Sequence, residues 1–314
     1  MSIKGTNKFF EALISEGKSS PTSRLLDFLH NMDISFFKKG GEIHLDGSYE
    51  MLDLDLLKGH LVEKLSSLPM LEVYRVATST NDIVMDKFLR GSKKNCLCVA
   101  EAQTKGKGRR GRSWVSPFGR NIYMSYGFVC ESDISGLEGL SVAIGIEVAE
   151  LLAGLGLAQV SLKWPNDLIL DHKKLGGILV EMAPTKNNSM AVVVGLGMNL
   201  TLSFRDAQLI DQPFAVAGDS LQIPRNQLIS ELAFSIISAI VRCREKGLGD
   251  YKLKWDRFNS HAGELLSLQR ADQSISGVDE GIDLKGNLVL KINGESKAFS
   301  SGEVGFIRKE TAAD

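Results

Sequence analysis

The chain has 314 residues, 43% of them apolar and 24% charged, with a formal net charge of -1. Such a composition belongs to a globular chain with room for one large domain and smaller attachments, and its near-neutral balance excludes a molecule whose whole surface neutralises nucleic-acid phosphates. No run approaches the roughly 18 apolar residues of a membrane span, MSIKGTNKFF lacks a signal-peptide core, and the five histidines and four cysteines show no metal-ligand spacing, so a cytoplasmic protein is expected.

Residues 1–60 read as a small attachment. FFEALIS and SRLLDFLH carry helical apolar spacing, and SFFKKGGEIHLDG predicts a hairpin turning at Gly40 and Gly41. Helices followed by a hairpin suggest a winged helix-turn-helix. From about residue 70 strand and helix patterns alternate: MLEVYRVA as a strand, a helix opening at Ser79 or Thr80, then the strand NCLCVAEA, whose Cys96 and Cys98 read as buried thiols. SWVSPFGRNIYMS predicts a further core strand. LEGLSVAIGIEVAELLAGLG, with apolar residues at 137, 140, 144, 148, 151 and 152, predicts an amphipathic helix. VSLKW, KLGGILVEM and MAVVVGLGMNL follow as strands, separated by turns at Pro165-Asn166-Asp167 and Lys186-Asn187-Asn188, and NQLISELAFSIISAIVRCREKG is another helix. From about residue 268 short strands, LLSLQR, SISGVDEGID, LVLKIN and KAFSSGEVGFI, predict a small β-barrel. The blocks of strands and helices fit an α+β fold.

The segment GKGRRGRSW holds four cations, Lys107, Arg109, Arg110 and Arg112, among the glycines Gly106, Gly108 and Gly111. Glycines permit close backbone approach and the cations can reach phosphate oxygens. A nucleic-acid loop, a solvated loop and a phosphate-binding flap share those properties, but a position between two predicted core strands favours the flap. LKWPNDLIL and KKLGGILVE add a turn with Asn166 and Asp167, and a lysine, Lys174, before two strand glycines. Taken singly, each also reads as core, turn or strand-end residues.

Taken together, STN at 79–81, AEAQTKGKGRRGRSWVSPFGRNIYMS, LKWPNDLIL, KKLGGILVE, GLGMNL and the C-terminal EGIDLKGNLVL and GEV resemble the biotin protein ligases, of the bacterial type with an N-terminal DNA-binding domain and repressor activity. The resemblance spans about residues 70–308. It implies a central mixed-sheet catalytic domain of the biotin/lipoate ligase type at 70–265, a reduced winged-helix-like domain at 1–60 and an SH3-like β-barrel at 266–314. It also implies that biotin and ATP, with Mg2+, form biotinyl-5'-AMP, and that biotin then passes to a lysine of a biotin carboxyl carrier protein such as that of acetyl-CoA carboxylase. A homodimer joined by sheet extension is a further implication. The alternatives are a biotin-responsive transcription repressor and a lipoate or octanoyl transferase of the same fold.

By the same resemblance Ser79, Thr80, Asn81 and Gln103 lie on biotin, and Gly106, Lys107, Gly108 and Arg109 belong to the loop that closes over it. Lys174 stands near the biotin carboxylate and the phosphate, and Arg110, Arg112, Trp114, Asn166 and Asn199 are on the nucleotide side. Lys174, Arg109 and Asp167 are the candidate catalytic residues. Lys107 replaces the first arginine of the family's loop, which keeps the charge but gives up bidentate recognition. Residues 1–60 depart further: EGKSSPT is too short to hold the third helix of a winged helix-turn-helix, and nine acidic side chains outnumber seven basic ones. That balance argues against specific DNA binding.

Overall fold

The computed structural model describes residues 8–46, 49–130, 134, 137–185, 189–270 and 273–306. The expected turn at Lys186, Asn187 and Asn188 lies outside the described residues. In chain order the elements are α1 (Lys8–Glu16), α2 (Ser23–Asn31), β1 (Phe36–Lys39), β2 (Glu42–Leu45), α3 (Leu54–Val62), β3 (Met70–Ala77), α4 (Thr80–Leu89), β4 (Cys96–Gln103), β5 (Ile122–Cys130) and α5 (Leu140–Gly154). There follow β6 (Ser161–Lys163), β7 (Asp167–Leu170), β8 (Lys173–Pro184), β9 (Met190–Met198), α6 (Phe204–Ala207), α7 (Arg225–Lys246) and α8 (Gly249–Phe258). Five strands close the chain, β10 (Leu265–Arg270), β11 (Gln273–Ile282), β12 (Leu288–Ile292), β13 (Glu295–Phe299) and β14 (Glu303–Phe306). Contacts divide the chain into one unit of residues 1–132 and 179–234 and another of 133–178 and 235–314, the chain passing between them within β8 and α7.

In the first unit the strands run in the order β3-β4-β5-β9-β8. β3 and β4 are parallel while β4, β5 and β9 pair antiparallel, so the sheet is mixed as the α+β pattern predicts. Val84 and Phe88 of α4 pack with Cys96, Cys98, Ala191 and Val193 on the sheet, which explains the nearly continuous apolar run of β4. The strand expected from Ser113 begins only at Ile122, because Pro117 and Gly119, the latter at φ 66, interrupt extended pairing.

The N-terminal elements share a core with the sheet. Phe10, Leu13, Leu25, Leu29, Ile34 and Ile43 bury themselves together with Ala102 and Phe118, which belong to the segment carrying β4 and the glycine-rich loop. Phe10 stands edge-on to Phe118, with ring centroids 5.3 Å apart and planes at 84°. Below this apolar layer Arg75, 3% exposed, donates to Glu11 and to the wholly buried Glu101. The pairing matters because a buried charge without a partner is strongly destabilising. The β1–β2 hairpin forms where the sequence predicts it, and no helix lies between α1 and α2 or between α2 and β1.

In the second unit β8, β7 and β6 are successive antiparallel neighbours. α5 is buried on more than the single stripe the periodicity suggests: Val142, Ala143, Ile146 and Ala149 are as covered as Leu140, Ile144 and Val148. Its acidic residues are reached from other helices, with Tyr251 and Arg242 on Glu147 and Lys254 on Glu150. The last five strands form an antiparallel sheet in the order β13-β12-β11-β10-β14, whereas the apolar pattern of KAFSSGEVGFI reads as a single strand covering β13 and β14. Trp164 of the WPND turn donates its indole N–H to the carbonyl of Gly286 at 2.9 Å, which joins two of the sequence motifs inside this unit. Among the described residues no helix is long and apolar enough to cross a membrane.

Candidate active site

In the first unit, the end of β3, the start of α4 and the end of β4 bring together residues that lie far apart in the chain. Ser79 caps α4 by accepting from the backbone N–H of Asp82 at 3.5 Å, leaving Thr80 and Asn81 in the first turn, both buried. The side-chain oxygen of Gln103 accepts from the Thr80 N–H at 2.9 Å and from its hydroxyl at 3.2 Å, while the Gln103 amide donates to Ser116 at 3.1 Å. Ser125, wholly buried on β5, lies within hydrogen-bond reach of both Thr80 Oγ1 (2.7 Å) and Asn81 Oδ1 (2.6 Å). Asn81 completes the set by donating to Glu181 at 2.7 Å.

Ser116, Ser125 and Glu181 are members of this network that sequence reasoning does not single out. A lone serine in an apolar strand has no periodic signature, and only their places inside SWVSP, IYMS and GILVE could have drawn attention to them.

The two glycines of GLGMNL explain how the neighbouring side chains fit. Gly195 and Gly197 lie two apart on β9 and therefore face the same way. A Cβ on Gly195 would collide with Asn81 Oδ1, and one on Gly197 would meet the Trp114 indole at 2.7 Å. Each glycine thus leaves a seat for a predicted site residue. Asn199, 4% exposed, donates its amide to the Ala215 carbonyl at 3.2 Å.

Between β4 and β5 the cationic loop forms a small turn. The Gly106 carbonyl accepts from Trp114 N–H at 2.9 Å, the Gly108 N–H donates to the Arg112 carbonyl at 2.7 Å, and Lys107 bridges Ser113. Residues Arg109 to Gly111 make one 3-10 turn, in which Arg110 adopts φ 56. Arg110 and Arg112 are exposed and Arg109 is half-buried. The Lys107 ammonium pairs with Asp82 in the first turn of α4. That hydrogen bond raises the Lys107 pKa above the ordinary lysine value, so the side chain is cationic at neutral pH.

The remaining predicted residues are in the second unit. Lys174 and Asp167 face each other across β7 and β8 as an ion pair of 2.8 Å, their side chains 17% and 21% exposed. Asn166 ties the WPND turn to β8, since its side-chain amide donates to the Ile178 carbonyl at 2.7 Å and its backbone carbonyl accepts from the Ile178 N–H at 2.9 Å. A cleft of about 510 Å³ lined by Asp53, Asp55, Lys58 and Met70, among others, contains none of the predicted residues. Among the described residues no group of three or more His, Cys, Asp or Glu side chains is arranged to hold a metal ion.

Residues 73–199 match the biotin/lipoate A/B protein ligase family. The chain is 34% identical to the bifunctional ligase/repressor BirA of Salmonella typhimurium over 259 residues, 81% of this chain and 78% of the relative. It is 28% identical to the biotin--[acetyl-CoA-carboxylase] ligase of Mycobacterium tuberculosis, over 82% of this chain and 96% of that one. Among solved structures it is similar to the biotin protein ligase from Aquifex aeolicus in complex with biotin and ATP, with a TM-score of 0.62 and 26% identity over 76% of this chain and 98% of that chain.

Proposed function

The chain belongs to the biotin protein ligases of the biotin/lipoate A/B protein ligase family, and from that premise we propose how its own residues carry out the two half-reactions. The carboxylate of biotin attacks the α-phosphorus of ATP, pyrophosphate leaves, and biotinyl-5'-AMP forms. A lysine amine of the acceptor, the biotin carboxyl carrier protein, then attacks the acyl carbon, an amide forms and AMP leaves. The observation that carries this reading is the network of Thr80, Asn81, Gln103, Ser125 and Glu181 next to the Lys107 and Arg109 loop.

Biotin is a largely apolar bicycle with a polar ureido edge and a carboxylate tail. Ser79, Thr80, Asn81 and Gln103 supply donors and acceptors fixed by hydrogen bonds to Asp82, Ser125, Glu181 and each other, and such a set orients a ligand without reorganising when it binds. Lys107, Arg109, Arg110 and Arg112 favour the approach of two anions, and the preorganised Lys174 ammonium stabilises charge growing on the α-phosphate. Trp114 and Asn199 serve the nucleotide side. Asp167 holds Lys174 in place and, in the second half-reaction, accepts the proton of the incoming lysine, whose ordinary pKa is about 10.4. Asn166 contributes by fixing β8 beside that pair. The mixed anhydride needs shielding from water, and the turn of residues 106–112 closes over it. Mg2+ would come bound to the nucleotide phosphates, as is common for that ion.

Residues 1–60 are read as a reduced winged-helix-like domain that does not bind DNA, 70–265 as the catalytic domain and 266–314 as an SH3-like barrel. All four cysteines are buried, in keeping with a cytoplasmic protein. Incubation with ATP, Mg2+, labelled biotin and a carrier domain tests the function. Label on the carrier lysine is expected, while transfer of octanoate or lipoate in place of biotin would overturn the reading.

A further inference from the structure

Arg225 opens α7 and is 6% exposed. Its guanidinium donates to the Asn121 carbonyl from Nε at 3.1 Å and from Nη2 at 2.8 Å, and from Nη1 to Glu101 at 2.6 Å and to the Glu50 carbonyl at 3.1 Å. The Glu50 carboxylate accepts from the backbone N–H groups of Arg225 and Asn226, where the positive end of the helix dipole favours an anion. Asn121 is wholly buried, and its side-chain oxygen accepts from the backbone N–H of Leu200 at 2.8 Å and of Thr201 at 3.2 Å. Those two N–H groups follow directly on Asn199.

One continuous set of hydrogen bonds, all within the first unit, thus leads from Glu50 through Arg225 and Asn121 to the backbone that carries Asn199. None of its members upstream of Asn199 belongs to the site proposed above. We propose that Asn121 and Arg225 are positioning residues for the reaction: by fixing the backbone at 199–201 they set where Asn199 meets the nucleotide. The inference rests on the nucleotide-side reading of Asn199. A buried oxygen that takes two successive N–H groups determines the direction of that backbone, and a displacement of about 1 Å at a site can cost as much as roughly 100-fold in rate.

Full-length Asn121→Ala, Asn121→Asp, Glu50→Ala and Asn199→Ala are compared in pyrophosphate exchange, with biotin affinity measured by calorimetry and melting recorded for each. Asn121→Ala is expected to raise the KM for ATP roughly tenfold or more while leaving kcat and biotin affinity within about twofold. Asn121→Asp, which keeps an acceptor oxygen, restores most of the loss. Glu50→Ala, at an exposed side chain, shifts the ATP KM in the same direction by less. Equal losses of biotin and ATP binding in Asn121→Ala, or no recovery in a folded Asn121→Asp, would reduce the network to packing and overturn the inference. If Asn121→Ala does not fold, an unchanged ATP KM in Glu50→Ala overturns it. An unchanged ATP KM in Asn199→Ala defeats the reading of Asn199 itself, whereas a raised one beside an unaffected Asn121→Ala defeats only the positioning role.

Discussion

Lys174 meets Asp167 at 2.8 Å in a setting less than a quarter exposed, so its ammonium is held in one place before any ligand arrives. In Lys174→Ala the loss should fall on the rate of adenylate formation and leave biotin affinity nearly intact. Removal of one preorganised charge contact costs about 3 kcal/mol, roughly 100-fold or more in rate. Stopped-flow formation of the adenylate beside equilibrium biotin binding checks this, and equal losses in both would reject the role. The cysteines offer a second test at this scale. All four are buried, and burial with the charge of Glu147 nearby pushes the Cys243 thiol up to about 12. The thiol therefore stays protonated in the fold as pH rises past its ordinary value of 9.0, and the stability it lends is lost between 9.0 and about 12. At pH 8 a thiol reagent should find none of the four until denaturant is added, and rapid labelling of the native protein would contradict that. Lys174 stands out in the sequence only through the likeness of KKLGGILVE to the family, since a lysine before two strand glycines taken singly also reads as a strand-end cation. Ser125 and Glu181 are not, because their partners lie 44 and 100 residues away along the chain.

Two elements border the proposed site, the turn of residues 106–112 and β9. Arg110 and Arg112 are exposed on a short 3-10 turn at the surface of the unit, the kind of segment that opens locally at low free-energy cost. Limited trypsin digestion should cut after them in the free protein, and biotin with ATP should slow that cleavage. Protection by DNA and not by those ligands would instead restore the nucleic-acid reading of GKGRRGRSW. On β9, Gly197→Ala places a Cβ 2.7 Å from the Trp114 indole, so the ring must move. The expected result is weaker ATP binding and altered Trp114 emission, with biotin affinity retained; an unchanged ATP KM would show that the seat is not needed. Long periodic elements such as α4 and α7 are readable from sequence. α3 and α8 escape such a reading: α3 carries a glycine at its centre, and α8 begins on Gly249 and is rich in charge. Yet Tyr251, Trp255 and Phe258 are buried at helical spacing. The strand start at Ile122 is obscured because SWVSPFG is apolar enough to resemble a strand, although its side chains serve a packed loop.

For the whole molecule the N-terminal segment bears on the repressor alternative. Among the described residues α1 and α2 run directly into the β1–β2 hairpin, so no third helix precedes that hairpin as a winged helix-turn-helix requires. Electrophoretic mobility of duplex DNA with the full-length protein should remain unchanged in the presence of biotin and ATP at physiological salt, and a sequence-selective shift would restore the repressor alternative. The chain order of elements is readable here, but the burial of Phe118 and Arg75 under those elements is not, since it depends on contacts between segments more than 60 residues apart. The burial of Arg75 between Glu11 and Glu101 also limits how far this chain can be shortened from its N-terminal side. Cutting away the first two helices would bare Phe118 and leave two guanidinium groups, those of Arg75 and Arg225, sharing the one carboxylate of Glu101. A workable short version would need Arg75→Met, to return the remaining pair to neutrality, and a polar residue in place of Phe118.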